Sequence, residues 1–175
     1  MLSVNEAIST LLENCERLVE SEQVSLMEAT GRTLAADVVA PIDVPPADNS
    51  AMDGYAIRFA DWKGADTALP LSQRITAGSV PGKLAQGSAA RIFTGAEVPE
   101  GADTVVMQEH CSEENGAVNI LKLPLQGANI RRRGQDLATG QTVLRAGHRL
   151  RSQDLGLAAS LGIADISVYR RLKVA

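Results

Sequence analysis

The sequence predicts an α+β fold in which a β-rich, barrel-like domain is inserted into a small mixed α/β domain. Both ends of the chain combine a helical pattern with strand-like runs, whereas the middle contains many short apolar runs separated by Gly, Pro and Asn. Short strands at this density are typical of a small barrel or sandwich. The predicted boundaries are residues 1–46 and 137–175 for the mixed domain, which includes the N-terminal helix, and residues 47–136 for the all-β insert.

The N-terminal part is predicted to begin with a helix over about residues 4–20. Ser3 and Glu6 have the spacing of a capping box, and apolar residues follow at helical intervals. Two strands are predicted next, at Val24–Met27 and Thr33–Val39. The prolines that follow end this section, because proline cannot donate a hydrogen bond to a sheet.

Five short apolar runs are the predicted strands of the middle region, and Asn115-Gly116 is a strong signal for a hairpin turn. The runs are Tyr55–Arg58, Gln73–Ala77, Ala89–Phe93, Thr104–Glu109 and Val118–Lys122.

The C-terminal part returns to a mixed pattern. Ser152 is predicted to cap a helix that ends near Leu161, with Gly162 as its stop signal. The predicted strands are Thr142–Leu144, His148–Leu150, Ile163–Val168 and Leu172–Val174. Because the sequence ends inside an apolar run, we expect the natural protein to be longer.

Composition and charge exclude several classes of protein. The 175 residues are 45% hydrophobic and 22% charged, which is normal for a soluble globular protein, and the net charge of −4 gives no overall attraction to nucleic acid or acidic membranes. No stretch reaches about 18 apolar residues, so no membrane span is expected. Glu6, Glu13 and Glu16 are untypical of a signal peptide. Cys15 and Cys111 lie far apart without a CxxC motif, which favours a reduced, cytoplasmic setting.

The segment from Pro45 to Ala56 is the most informative part of the chain. It places two carboxylates, an amide, a hydroxyl and a glycine directly after Pro-Pro, and an apolar run follows from Tyr55. Side chains of this kind stabilise turns by bonding to their own backbone. We interpret the segment as a rigid loop that presents Asp53 to a metal ion or a substrate. An ordinary Asp-Gly turn is the alternative, and the residue alone favours it.

Two further segments carry candidate chemistry. Thr94, after a predicted strand, can present its hydroxyl and the following N–H groups to an anion, with a strand-ending turn as the alternative. The Arg131–Arg133 run suits phosphate and other oxyanions, with a solvated basic loop as the alternative. Asp136 is then either the partner of an arginine or a second acid of an active site.

Four ordered blocks of this sequence resemble the MoeA/gephyrin E-domain family, the molybdopterin molybdenumtransferases. The stretches Ala159–Gly162 and Arg171–Ala175 also match, so the resemblance covers essentially the whole chain. The four blocks are Asp48–Ala56, Arg91–Pro99, Gly101–Glu109 and Asn129–Asp136.

This resemblance implies an enzyme that inserts molybdate into adenylylated molybdopterin and releases AMP with the help of Mg²⁺. It implies a homodimer that acts on small molecules, not on nucleic acid or membranes. Asp53 and Asp136 would be catalytic, Asp53 would also bind the metal, and Thr94 and Arg131 would contact the substrate. The family's pterin-binding domain begins about where this chain ends, so the chain alone is expected to be inactive. A non-enzymatic dimerisation or scaffold module is the alternative.

Overall fold

A computed structural model describes residues 3–13, 19–64 and 66–173 of the chain. Short 3₁₀ turns cover Leu26–Glu28, Phe59–Asp61 and Gln108–His110. The helices and strands, in chain order, are α1 (Val4–Glu13), β1 (Ser21–Ser25), β2 (Val38–Val39), β3 (Asn49–Ser50), β4 (Gly54–Ile57), β5 (Ala68–Ile75), β6 (Ala89–Ile92), β7 (Thr104–Met107), β8 (Cys111–Glu114), β9 (Ala117–Ile120), β10 (Ile130–Arg131), β11 (Thr142–Leu144), α2 (Ser152–Ser160) and β12 (Asp165–Tyr169).

The chain divides into two compact units. One unit consists of Met1–Pro41 together with Gly140–Ala175, and the other consists of Ile42–Thr139. The predicted α+β content is confirmed, because the described residues form many strands and two helices. The predicted limits of the insert, residues 47 and 136, remain predictions. No helix within the described ranges has the length and apolar character needed to cross a membrane.

Helix α1 of the first unit begins at the predicted capping box. The Ser3 N–H donates to Glu6 Oε2 at 2.7 Å, and the Glu6 N–H donates to Ser3 Oγ at 3.3 Å. The predicted continuation over residues 14–18 lies outside the described residues, and the prediction is wrong for Val19 and Glu20, which are not helical.

Two antiparallel strand pairs, β1 with β12 and β2 with β11, pack with α2 in the first unit. The strand predicted over Thr33–Val39 is mostly wrong. Only Val38–Val39 forms a strand, while Thr33 makes an isolated pairing with Arg149, so the predicted strand His148–Leu150 is wrong too. Leu172 and Lys173 form no strand either, and Val174 lies outside the described residues.

The start of α2 depends on Asp154 and not, as predicted, on Ser152, which is already the first helical residue. The buried Asp154 carboxylate accepts a hydrogen bond from the Arg151 N–H at 2.8 Å, and His148 Nε2 lies 2.8 Å from its Oδ2. These contacts, His148 first, lower the pKa of Asp154. The predicted stop at Gly162 is confirmed by its φ of +75°.

The second unit is built on a curled six-stranded sheet in the order β7-β4-β6-β5-β9-β8. Strands β5 and β6 run parallel, and the other neighbouring pairs are antiparallel. The predicted hairpin is confirmed: Asn115 and Gly116, at φ of +51° and +75°, join β8 to β9. The sequence analysis missed β8 itself.

Apolar side chains cover both faces of this sheet. One cluster surrounds Tyr55 and Val106, and the other surrounds Ala56 and Val105, as expected for alternating residues of paired strands. Gly54 is required at the start of β4, because a Cβ atom there would lie 2.0 Å from the Val106 carbonyl oxygen. The backbone that follows Asp53 is therefore fixed tightly against β7.

Candidate functional site

The two-residue strand β3 connects the predicted site segments. On one side, Ser50 accepts a hydrogen bond from the Gly95 N–H at 2.8 Å and donates its own N–H to the Ala96 oxygen at 2.9 Å. On the other side, β3 pairs with β10, so that Asn49 lies opposite Arg131. The structure therefore brings the Thr94 segment and the Arg131 segment to opposite edges of the same short strand.

The loop from Ser50 to Gly54 is held by its own side chains, as the sequence predicts. The buried Ser50 hydroxyl donates to the Met52 carbonyl at 2.6 Å and accepts the Met52 N–H at 3.4 Å. At the end of the loop the Asp53 carbonyl accepts the Gln108 N–H at 3.0 Å. These bonds leave little freedom to the backbone that carries the Asp53 carboxylate.

Asp53 and Thr94 form a closely bonded pair, the Asp53–Thr94 pair. Both the N–H and the hydroxyl of Thr94 donate to Asp53 Oδ1 at 2.8 Å. These two bonds, with a smaller contribution from the nearby Arg91 charge, lower the pKa of Asp53. No described residue donates to Asp53 Oδ2. The result is an ionised carboxylate with one oxygen available to a cation or to a hydrogen-bond donor.

Arg131 and Asp136 form an ion pair, with a hydrogen bond from Arg131 Nη2 to Asp136 Oδ2. The Arg131 side chain is 43% exposed and that of Asp136 is 46% exposed, so both remain accessible. Asp136 is therefore the partner of an arginine, and its additional role as an active-site acid remains a prediction. Among the described residues, no hydrogen bond or ion pair joins these side chains to the Asp53–Thr94 pair.

The other two arginines of the run are also paired with carboxylates, which the sequence analysis missed. Asp48 Oδ2 accepts a bond from Arg132 Nη1 at 2.6 Å, and Asp48 Oδ1 accepts the Arg133 N–H at 2.8 Å. Arg133 Nε donates to Asp43 Oδ2 at 2.5 Å. Within the described chain the apparent basic run therefore has its charge balanced by aspartates.

Asp43 makes a second aspartate–threonine pair, the Asp43–Thr139 pair. The N–H and the hydroxyl of Thr139 donate to Asp43 Oδ1 at 2.7 and 2.9 Å. The Thr139 N–H bond is the largest of several effects, including the bond from Arg133, that lower the pKa of Asp43 to about 2. Both carboxylate oxygens of Asp43 are occupied, unlike those of Asp53.

Arg91 is another residue that the sequence analysis did not single out. It donates from Nη1 to the Gly54 oxygen at 2.8 Å and from Nη2 to Gln108 Oε1 at 2.6 Å. Its guanidinium carbon lies 5.0 Å from the Tyr55 ring centroid and 4.6 Å from that of Phe93. The sequence could have identified Arg91 as a candidate, because it is the one charged residue in the otherwise apolar strand β6.

The described residues alone do not form a metal site. The described residues contain no group of three or more His, Cys, Asp or Glu side chains arranged to hold an ion. Mg²⁺, however, is commonly held by one or two carboxylates together with phosphate oxygens of a substrate. The available Oδ2 of Asp53 is compatible with that mode. Cys111 is an unpaired thiol whose pKa is raised to about 11, mainly by burial, so it is not an activated nucleophile.

The fold and this site define a strand-rich α+β protein with an ionised carboxylate on a rigid loop. A family model described as the MoeA N-terminal region (domain I and II) matches residues 2–162, and the chain belongs to that family.

Several relatives agree with this assignment. The chain is 41% identical over 175 residues to a protein named molybdopterin molybdenumtransferase from Haemophilus influenzae, covering 99% of this chain and 43% of the relative. It is 40% identical over 182 residues to molybdopterin molybdenumtransferase 2 of Mycobacterium tuberculosis, covering 99% of this chain and 44% of the relative. The chain therefore spans less than half the length of these relatives.

Solved structures give the same result. Two structures described as the molybdopterin biosynthesis MoeA protein of Pyrococcus horikoshii match with TM-scores of 0.86 and 0.83 and sequence identities of 31% and 37%. The matches cover 98% and 94% of this chain and 45% of each solved chain.

Proposed function

We propose that this chain is the N-terminal portion of a molybdopterin molybdenumtransferase and acts in molybdenum cofactor biosynthesis. The proposed reaction inserts molybdate into adenylylated molybdopterin with release of AMP. Family membership and the names of the full-length relatives support this function. Because the chain spans 43% of a named relative, we expect these residues to supply one part of the active site and to show no turnover alone.

The observation that carries the proposal is the Asp53–Thr94 pair. Thr94 keeps Asp53 ionised and oriented through Oδ1, while Oδ2 remains available. In the proposed site Oδ2 binds Mg²⁺, which when bound would neutralise charge on the phosphate and oxyanion groups of the substrates. The Thr94 hydroxyl oxygen can still accept a hydrogen bond from a substrate group.

The Arg131–Asp136 pair is proposed as a second contact with the anionic substrates. Asp136 occupies one N–H of the guanidinium and fixes its direction, and the remaining N–H groups can donate to an oxyanion. No described residue donates to Asp136 Oδ1, so the carboxylate can act through this oxygen as a second acid of the site.

A homodimer is part of the proposal. Helix α1 exposes four large apolar side chains in this structure, which supports an association through this helix. They are Val4 at 75%, Ile8 at 49%, Leu11 at 69% and Leu12 at 67% exposure. We also propose a cytoplasmic location, since the substrates are soluble metabolites of a biosynthetic route.

Asp53→Asn tests the proposed function, and Asp43→Asn is the matched control. In a hybrid in which these 175 residues replace the matching segment of a full-length relative, we expect Asp53→Asn to reduce molybdate insertion at least about a hundredfold. Asp43→Asn should keep most of the activity at temperatures where it is folded, because both Asp43 oxygens are bonded within the protein. Equal loss in the two variants would contradict the role of Asp53.

Sedimentation of the isolated chain tests the association. We expect the isolated chain to sediment as a dimer and its Leu11→Glu variant to sediment as a monomer. If the unsubstituted chain is a monomer at every concentration, the proposed contact is overturned. An inactive hybrid combined with a stable dimer of the chain would favour the alternative, a non-enzymatic interaction module.

A further inference from the structure

Two arginines lie side by side on one face of the six-stranded sheet. Arg91 of β6 pairs in register with Tyr55 of β4 on one side and with Arg74 of β5 on the other. Both guanidinium carbons lie 4.6 Å from the Phe93 ring centroid. The two positive charges therefore share one aromatic ring.

No carboxylate of the described residues lies within ion-pair distance of either guanidinium group. Arg91 donates to the Gly54 carbonyl and to the neutral Gln108 side chain, and neither Arg74 nor Arg91 forms an ion pair with a described acid. Like charges directly opposite each other across strands are destabilising, and the face of an aromatic ring offsets only part of that cost. This arrangement differs from the run Arg131–Arg133, in which every arginine has an aspartate.

A surface pocket of about 290 Å³ opens between the two arginines. Arg91 is half-buried, and four contacts hold its planar guanidinium group in one orientation, ready to bind a ligand. Arg74 is exposed at the rim of the pocket. The lining residues are Leu71, Ser72, Gln73, Arg74, Arg91 and Glu113. We name this feature the Arg74–Arg91 pocket.

One acid, Glu113, also lines the pocket. Its Oε2 accepts a hydrogen bond from the Tyr55 hydroxyl at 2.8 Å, which fixes the carboxylate in place. Glu113 repels a fully ionised anion, but its carboxylate can accept a hydrogen bond from an anion that carries a proton. The pocket thus combines two guanidinium groups that donate hydrogen bonds with one carboxylate that accepts them.

We propose that the Arg74–Arg91 pocket binds a protonated tetrahedral oxyanion, either hydrogen phosphate or the phosphate group of a larger ligand. The guanidinium groups donate to unprotonated oxygens, for which their planar forks are suited. Glu113 accepts the remaining P–OH proton. Sulfate and molybdate, which carry no proton near neutral pH, are therefore disfavoured. The proposal does not depend on the proposed transferase activity, because anion binding to this pocket is measured directly.

The first test follows amide chemical shifts of the full 175-residue chain during titration with inorganic phosphate, sulfate and methyl phosphate near pH 7. We expect saturable shifts at Gln73, Arg74 and Arg91 with a Kd on the order of 1 mM for phosphate, and sulfate binding at least about tenfold weaker. The two phosphates are also compared at about pH 5, where both carry a P–OH proton. Tighter binding of methyl phosphate than of phosphate there identifies a larger ligand as the source, and weaker binding identifies free phosphate. Absence of saturable shifts at these residues would overturn the proposal.

Matched variants make the test specific. Arg74→Gln removes the exposed charge and should weaken phosphate binding about tenfold, whereas Arg58→Gln removes a charge outside the pocket and should change it less than about twofold. Equal effects of the two variants would show a non-specific interaction and overturn the proposal.

Glu113→Gln should reduce the preference for phosphate over sulfate to about twofold or less, because the repulsion of the fully ionised anion is removed. An unchanged preference would contradict the role of Glu113. Arg91→Lys keeps the charge and removes the planar fork, so it should weaken binding while amide shifts distant from the pocket stay in place.

Discussion

Two aspartate–threonine pairs in the Ile42–Thr139 unit have the same hydrogen bonds and differ at one oxygen atom. In the Asp53–Thr94 and Asp43–Thr139 pairs alike, the threonine N–H and hydroxyl both donate to the aspartate Oδ1. Oδ2 of Asp43 is bonded to Arg133, whereas no described residue donates to Oδ2 of Asp53. The pKa of the aspartate is lowered in both pairs, so a lowered carboxylate pKa does not by itself identify a functional acid.

The second oxygen decides which role each pair has. Both oxygens of the Asp43 carboxylate are bonded within the protein. They connect Asp43 to Thr139 and to Arg133, which lies 90 positions from Asp43 in the sequence. Asp53 uses Oδ1 to fix its own orientation, and no described residue donates to its Oδ2. We infer that Asp43 contributes mainly to stability and Asp53 mainly to function.

The largest expected difference between the pairs is in thermal stability. Asp43→Asn removes the ion pair with Arg133 and weakens the bonds from Thr139, so we expect the melting temperature to fall by roughly 4 °C. Asp53→Asn should lower it by less than half as much, because it loses no ion pair. Circular dichroism of both variants during heating measures the difference, and equal falls would show that Oδ2 does not distinguish the pairs.

The pH dependence of stability gives a smaller and more specific signal. The Asp43 pKa is about 2 in the folded chain against an ordinary value of 3.8, so its contribution is fully present above pH 3.8 and is lost as the pH falls toward 2. We therefore expect the stability gap between wild type and Asp43→Asn to close over this range. Urea unfolding at a series of pH values checks this, and a gap that stays constant below pH 3.8 would refute the assignment.

The smallest expected effect is a change of carboxylate pKa when the threonine hydroxyl is removed. Thr94→Val should raise the Asp53 pKa toward its ordinary value, since the hydroxyl bond is one of the two main causes that lower it. Thr139→Val should leave the Asp43 pKa well below its ordinary value, because the Thr139 N–H and Arg133 still donate. Carboxyl-carbon NMR titrations report both values, and the reverse order would contradict the comparison.

Several features that depend on neighbouring residues were predictable from the sequence, although the Arg151–Asp154 contact that starts α2 was missed. The capping box at Ser3, the turn at Asn115-Gly116 and the self-bonded Ser50 each involve residues within three positions of one another. Local hydrogen bonding alone determines them, so the sequence contains the required information.

Features that depend on distant partners were not predictable from spacing. Thr94 lies 41 positions from Asp53, and the two were associated only through the family resemblance. Asp43 and Asp48 were missed as partners of the arginines for the same reason. Strand β8 was missed because Cys-Ser-Glu-Glu has no apolar alternation, and its pairing with β9 makes it a strand.

Strand β3 has a consequence for protein engineering. Ser50 is bonded to Gly95 and Ala96, and its hydroxyl sets the path of the chain through Met52. Inserting or deleting one residue between Ser50 and Asp53 would turn the carboxylate away from Thr94, so the side chains of Ala51 and Met52 should accept substitution but the loop should accept no change of length.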